Sequence, residues 1–145
     1  MKSLKSLWPR TMASIFTKII NGEIPCFKVA EDDKNIAFLD IRPIKKGHTL
    51  CVPKLEVDEL YELPADDYQS LMAFSQRVAQ SLKRVVPCKR IGSLVLGMEV
   101  PHAHLHLVPI NAEYELSFAN AQSGVPQEEM IALARAISDD LDSVE

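Results

Sequence analysis

Cysteine is scarce in this sequence, with three residues in 145, placed far apart at Cys26, Cys51 and Cys88. This odd number without short spacings is typical neither of a zinc site nor of a disulfide-stabilised secreted domain, so we expect a cytoplasmic protein. The sequence also lacks an apolar run of about 18 residues and the continuous apolar stretch of a secretory signal. We therefore expect neither a membrane span nor export.

Excess positive charge is also missing, because 20 acidic residues outweigh 16 basic ones and give a net charge of −4. Nonspecific binding to nucleic acid or to an anionic membrane needs a positive field, so neither partner is expected. The hydrophobic share of 47% excludes a mainly disordered chain. The length fits one domain, which we place over residues 12–145 after an N-terminal extension, residues 1–11, that we expect to be flexible.

The apolar spacing predicts strands that are grouped and do not alternate regularly with helices. Such grouping favours an α+β fold with an antiparallel sheet of about five strands, one long helix and one or two shorter helices. The long helix is predicted between Pro64 and Val86, and a short one follows the capping residue Ser14 and stops at Asn21. A final helix is predicted over 126–141, and the strands over 28–31, 36–40, 48–52, 91–96 and 103–110.

Three of the four histidines stand at alternate positions, His102, His104 and His106. Successive side chains of a strand point to opposite faces, so these imidazoles share one face and the apolar residues between them take the other. A single histidine on a strand is usually structural. Three at a strict period of two indicate a functional site.

A metal site is one interpretation of this cluster, because imidazole is a common metal ligand. The Cα atoms of His102 and His106 would be about 13 Å apart on an extended strand, which strains chelation by all three rings. Two rings could still converge, with His48 as a possible third ligand.

Nucleophilic attack on phosphorus is the second interpretation. A neutral imidazole attacks through one nitrogen when the other carries the proton and is held by an acceptor, and the central His104 is best placed for this role. His102 and His106 could then donate hydrogen bonds to phosphate oxygens, with no metal required. Other phosphate-binding or hydrolase motifs, such as a P-loop, HExxH or GxSxG, are absent from the sequence.

The sequence resembles the histidine triad (HIT) nucleotide-binding family, whose mark is His-x-His-x-His followed by apolar residues, here 102–108. Three further segments resemble the family's N-terminal segment and central hairpin, in the family's order: 15–25, 37–43 and 47–54. The resemblance implies a homodimer whose two sheets join into one continuous ten-stranded sheet. It also implies a hydrolase or transferase that acts at the α-phosphate of purine nucleotides through a covalent nucleotidyl-histidine, without a cofactor.

Carried over by position, the resemblance makes His104 the nucleophile and places His106 at the phosphate. His102 and His48 would support the hydrogen bonding of the site. Asp40 matches the carboxylate that holds the ribose hydroxyls, a task for which a double acceptor is apt. Four residues match the apolar base pocket, although each could equally be ordinary core: Phe16, Ile19, Phe38 and Ile41.

Two departures from the family pattern affect the expected chemistry. Glu99, with Met98 before it, stands where members often carry polar residues that meet the α-phosphate, and an ionised Glu99 would repel phosphate unless it turns away. Thr17 stands where some branches have a zinc-binding cysteine, so no zinc is expected. The resemblance implies that the substrate is a nucleoside phosphoramidate or a dinucleoside polyphosphate. A nucleotide-binding or interaction module with weak or no catalysis is the alternative, and a His-ligated metalloprotein is a further one.

Overall fold

The computed structural model describes residues 13–144, so the predicted extension over residues 1–11 lies outside the described part. Within that part the chain forms three α-helices and five strands. The helices are α1 (Ile15–Ile20), α2 (Ala65–Val85) and α3 (Gln127–Val144). The strands are β1 (Lys28–Glu31), β2 (Asn35–Leu39), β3 (Thr49–Pro53), β4 (Arg90–Leu94) and β5 (Leu105–Ile110).

The five strands form one sheet in the order β1-β2-β3-β5-β4, and every neighbouring pair is antiparallel. Helices α2 and α3 pack against one face of this sheet and against each other. The prediction of an α+β fold with a five-stranded antiparallel sheet is therefore confirmed. None of the helices in residues 13–144 combines the length and the apolarity needed to cross a membrane.

Alternation along the strands divides the buried apolar residues between the two faces of the sheet. On the helix-covered face, Leu105 and Leu107 of β5 join the main core with residues of α2 such as Leu71 and Val78. A smaller cluster lies apart from this core and is made by α1 and the alternate strand positions: Phe16, Ile36, Phe38, Leu50 and Val52. His102 and His104 lie next to this second cluster, beside Phe16.

Helix α1 begins and ends as its sequence predicts. The Ser14 side chain accepts a hydrogen bond from the Thr17 N–H at 3.0 Å, which caps the first turn. Asn21 ends the helix, and Gly22 follows with a φ of 78°, a left-handed conformation that suits glycine. The cap positions Phe16 over the sheet.

Strand β5 begins at Leu105 and not at Ala103, so the prediction of a strand over 103–110 was wrong at its start. The reason lies in β3, where Pro53 would stand opposite Ala103 if the pairing of Cys51 with Leu105 continued. Proline has no N–H to donate. The Pro53 carbonyl instead faces the His102 ring, and the Ala103 N–H donates to the Val57 carbonyl at 2.7 Å. His102 and His104 therefore precede the sheet ladder.

Candidate active site

The four imidazoles gather at the junction of β3, β5 and the segment that precedes β5. The ring centroids of His104 and His106 are 4.8 Å apart, and those of His106 and His48 are 5.1 Å apart. Phe16 contacts His104 edge-on with a centroid separation of 5.0 Å. The structure thus brings together the histidines that the sequence separates by up to 58 positions.

All four rings are buried, but not to the same degree. His48 and His102 have no exposed surface, whereas His106 keeps 5% and His104 keeps 7%. His104 is therefore the most accessible of the four. A cleft of about 640 Å³ opens beside Asp40 and His48, towards α3, and does not include the triad rings in its lining.

The hydrogen-bond partner of the His104 ring shows which of its two nitrogens carries the proton. His104 Nδ1 lies 2.6 Å from the main-chain carbonyl oxygen of His102. A carbonyl only accepts, so Nδ1 carries the proton and donates it. In the neutral ring, Nε2 is then left with its lone pair free. This is the form in which an imidazole can attack an electrophile.

A second chain of hydrogen bonds fixes His48 and His106. The Ile44 N–H donates to His48 Nδ1 at 3.0 Å, so the proton of the neutral His48 ring sits on Nε2. His48 Nε2 lies 2.9 Å from His106 Nδ1 and donates to it. His106 therefore carries its own proton on Nε2, where it is available as a hydrogen-bond donor.

Both ring nitrogens of His102 are engaged by the protein. Nε2 lies 2.8 Å from the Pro53 carbonyl and donates to it, while Nδ1 accepts from the Ser14 hydroxyl at 2.7 Å. The residue pattern alone suggested that His102 could donate to a phosphate oxygen. With both nitrogens occupied and no exposed surface, His102 is placed to support its neighbours instead.

Burial lowers the pKa of each of the four histidines below its ordinary value, because the protonated ring loses its hydration. The pKa of His106 falls to about 3, since His104 and His48 add their repulsion to the desolvation. The Asp40 carboxylate acts in the opposite direction and raises the pKa of His48 and His104, but less strongly. The rings are accordingly neutral at pH 7, as the hydrogen-bond chains require.

Asp40 lies at the end of β2, next to the imidazole cluster. Its Oδ2 is 3.6 Å from His48 Nε2, and its Oδ1 accepts the Arg42 N–H at 2.8 Å. Asp40, His48 and His106 offer three ligand atoms within 4.8 Å of one another. His48 could bind an ion only through Nε2, because Nδ1 already accepts from Ile44, and Nε2 would then have to lose its proton. These residues fit a hydrogen-bond chain better than a metal centre.

The four predicted base-pocket residues do not share one environment. Phe16 and Phe38 are buried, and their rings pack edge-on at 5.5 Å. Ile19 is partly buried against the same cluster. Ile41 is 69% exposed, so it lies outside that cluster.

Glu99 lies in the bend before the triad and is exposed to solvent, as is Met98 with 89% of its surface. An exposed carboxylate is hydrated, and its charge is screened. The repulsion of phosphate that an ionised Glu99 could cause is therefore weakened by its position.

Sequence reasoning missed Phe118, whose ring centroid lies 5.2 Å from that of His106 and 6.4 Å from that of His48. Phe118 begins a short 3-10 turn, Phe118–Asn120, in a stretch that the sequence presents as irregular. A single phenylalanine in this polar segment was the available signal. The roles of Ser14 and Pro53 as partners of His102 were also missed, since the sequence identified Ser14 only as a helix cap.

Comparison with known proteins identifies the class to which this fold and site belong. The HIT domain family profile matches residues 21–113, which include all four histidines. The chain is a member of the HIT family.

Individual relatives agree with this membership. An uncharacterised HIT-like protein of Methanocaldococcus jannaschii is 40% identical over 99 residues, covering 66% of this chain and 77% of that protein. An adenosine 5'-monophosphoramidase of Schizosaccharomyces pombe is 33% identical over 88% of this chain and 97% of its own. The crystal structure of a Zn-bound histidine triad family protein from Mycobacterium smegmatis superposes with a TM-score of 0.78 at 30% identity, covering 93% of this chain and 99% of that one.

Proposed function

We propose that this protein binds a purine nucleotide and hydrolyses a bond at its α-phosphate through a covalent nucleotidyl-His104 intermediate. The observation that carries the proposal is the His104 tautomer, because the 2.6 Å hydrogen bond from Nδ1 to the His102 carbonyl leaves the Nε2 lone pair free. The similarity to an adenosine 5'-monophosphoramidase over 88% of the chain supports a nucleoside phosphoramidate as the substrate. Dinucleoside polyphosphates present the same α-phosphate and belong to the same proposal.

The reaction takes place in two displacements. His104 Nε2 attacks the α-phosphorus, the bond from phosphorus to the leaving nitrogen breaks, and that nitrogen departs as an amine after it takes a proton from solvent. Water then attacks the same phosphorus and gives up a proton to solvent, the bond to Nε2 breaks, and the nucleoside monophosphate and neutral His104 are formed. Positive charge on the imidazole of the intermediate is stabilised by the carbonyl that accepts from Nδ1.

His106 assists the displacement as a donor to a non-bridging phosphate oxygen. Its Nε2–H is free for this purpose because His48 donates to His106 Nδ1. Negative charge on the phosphate oxygens of the transition state strengthens this hydrogen bond. The His106 ring donates without carrying a full charge, in keeping with a pKa lowered to about 3.

Nucleotide binding is assigned to Asp40 and to the cluster around Phe16. The Asp40 carboxylate is 20% exposed and can accept from two ribose hydroxyls. Phe16 contacts His104, Phe38 packs against Phe16, and Ile19 extends this apolar cluster. Ile41, at 69% exposure, would contribute only if a bound nucleotide covers it.

The test is mass spectrometry of protein quenched during turnover of adenosine 5'-phosphoramidate. We expect a nucleoside monophosphate adduct on the peptide that contains His104, and loss of both adduct and turnover in His104→Ala. Ser143→Ala, an exposed change at the end of α3, is the control that keeps both. Normal turnover by a folded His104→Ala protein would overturn the assignment.

A nucleotide-binding module with little catalysis is the second candidate, favoured by the segment before the triad. The side chains of Met98 and Glu99 carry neither a hydroxyl nor an amide group that could donate to an α-phosphate, and both side chains are exposed. Calorimetry combined with a substrate panel separates the two functions. Purine-nucleotide affinity without turnover would select the module, and turnover would exclude it.

A His-ligated metalloprotein is the third candidate, resting on Asp40, His48 and His106. Metal analysis of protein prepared without chelators tests it. Bound metal at one equivalent that is lost in His48→Ala would select this candidate. The hydrogen bond from Ile44 to His48 argues against it.

We also propose that two copies of the chain form a homodimer, as the family resemblance implies. Strand β4 is at the edge of the sheet and pairs only with β5 among the described strands. Leu96 and Met98 follow it and are 57% and 89% exposed. Light scattering coupled to gel filtration should give twice the chain mass of 16.2 kDa, and a monomer would refute the proposal.

A further inference from the structure

We infer that Ser14 is a positioning residue for the His104 nucleophile, acting through the hydrogen bond from its hydroxyl to the His102 ring. The inference rests on the proposed function, because it assigns a role within the same site. It concerns a side chain outside the matched family domain, which begins at residue 21.

The His102 ring is clamped at both nitrogens. On one side Nδ1 accepts from Ser14 Oγ at 2.7 Å, and on the other Nε2 donates to the Pro53 carbonyl at 2.8 Å. The ring has no exposed surface, so water cannot replace either partner. Removing the Ser14 hydroxyl would leave Nδ1 only the Thr17 hydroxyl at 3.5 Å, whose proton is donated to Glu56 Oε1 at 2.6 Å, and would release one end of the ring.

The hydrogen bonds on the His102 ring affect His104 through the main chain of His102. The carbonyl of His102 accepts the Nδ1–H of His104 at 2.6 Å and so determines which His104 nitrogen is free to attack. This carbonyl lies outside the strand ladder, because β5 begins only at Leu105. Residue 102 makes no hydrogen bonds of the sheet ladder. Its position is held by the two hydrogen bonds of its ring and by the hydrogen bond from the His102 N–H to the Val100 carbonyl at 2.8 Å.

Glu56 holds Ser14 in place for this contact. Its Oε1 accepts from the Ser14 N–H at 2.8 Å and from the Thr17 hydroxyl at 2.6 Å. The Thr17 N–H in turn donates to Ser14 Oγ at 3.0 Å, and the Ser14 hydroxyl proton goes to His102 Nδ1 at 2.7 Å in preference to Thr17 Oγ1 at 3.3 Å. The hydrogen bonds among Ser14, Thr17, Glu56 and His102 thereby connect the start of helix α1 to the loop after β3 and to the triad.

Helix capping and proton donation can be separated by substitution at this one position. Ser14→Thr keeps the cap and the donor. Ser14→Asp keeps a strong cap but places an acceptor at His102 Nδ1, so His102 takes a second proton. Ser14→Ala loses both functions. Ser117→Ala is the matched control, because Ser117 caps the turn Phe118–Asn120 with an oxygen that accepts from the Ala119 N–H.

The experiment measures the tautomers of His102 and His104 by long-range ¹H–¹⁵N NMR. The values of kcat and KM are measured with adenosine 5'-phosphoramidate as substrate, and Tm is measured for each variant by thermal denaturation. We expect Ser14→Asp to remain folded, to show a doubly protonated His102 between the new carboxylate and Glu56, and to lose about tenfold in kcat with KM nearly unchanged. Ser14→Ala should lose a similar factor in kcat, whereas Ser14→Thr should restore it. Ser117→Ala should leave both tautomers unchanged.

A purely structural role for Ser14 predicts that Ser14→Asp, with its cap intact, behaves as wild type in kcat and in both tautomers. That result would overturn the inference, as would wild-type kcat in Ser14→Ala. Failure of the proposed function has a different signature. It would appear as a wild-type protein without turnover, or as turnover that survives His104→Ala, while the two tautomers still report whether Ser14 holds His102.

Discussion

The neutral His106 ring makes the stability of this protein sensitive to acid. Its pKa is about 3 in the folded chain and 6.5 at its ordinary value. The unfolded chain therefore binds a proton at His106 in the window between these two values, and the folded chain does not. The contribution of His106 to the free energy of unfolding therefore has its full value above pH 6.5 and is lost as the pH falls towards 3.

The size of the effect follows from the width of that window. One proton that binds only to the unfolded state lowers the free energy of unfolding by about 1.4 kcal/mol for each pH unit. Between pH 6.5 and pH 4.5 the loss is about 2 kcal/mol, a large share of the stability of an ordinary domain. Replacement of His106 by a side chain that does not titrate should remove this part of the acid sensitivity.

The assay is urea denaturation of wild type and His106→Asn at pH values from 7.5 to about 4.5, a window set by the protonation linkage. We expect the free energy of unfolding to fall more steeply with falling pH in wild type than in His106→Asn, so that the two values converge. The difference between the two slopes corresponds to about one bound proton. Val108→Ala, a fully buried change on the same strand, is the control and should shift the curve without changing its slope. Parallel curves for wild type and His106→Asn would show that His106 is not kept neutral in the folded protein.

Two further predictions concern binding and stability. Asp40→Asn should raise KM for the nucleotide substrate about tenfold with a smaller effect on kcat, because a neutral amide oxygen accepts more weakly than a carboxylate; steady-state kinetics check this, and an unchanged KM contradicts the ribose assignment. Ser81→Ala should lower the free energy of unfolding by about 1 to 3 kcal/mol without a change in kcat, because the buried Ser81 hydroxyl lies 2.6 Å from Asp140 of α3. Urea denaturation measures that loss, and wild-type stability would show that this contact contributes nothing.

Much of the fold was predictable because it depends on local rules. The apolar stripe of α2, with acidic residues in its first turn and basic ones in its last, predicted that helix to within about one residue at each end. Helix α3 was predicted to end at Leu141 but continues to Val144. The three residues after Leu141 include no glycine or proline, so they carry no strong signal that would end the helix there.

The start of β5 could not be predicted from the alternation of its residues. The period of two continues through Ala103, yet the ladder ends at Leu105 because Pro53 on the facing strand has no N–H. Which residue faces Ala103 depends on strand register, a property of the assembled sheet. The same applies to Ile41, whose apolar side chain is exposed although Leu39 before it and Ile44 after it are buried.

By itself, the sequence determined that the triad imidazoles share one side of the chain, since alternate side chains of an extended segment point the same way. It also determined that the residues between them point to the opposite side, where Ala103 and Leu105 are buried in the main core. Only the tertiary structure decided where each ring proton sits. The partners of the His102 and His106 rings, such as the Pro53 carbonyl and the His48 ring, come from distant parts of the chain, and a neutral imidazole takes the tautomer that its partners impose.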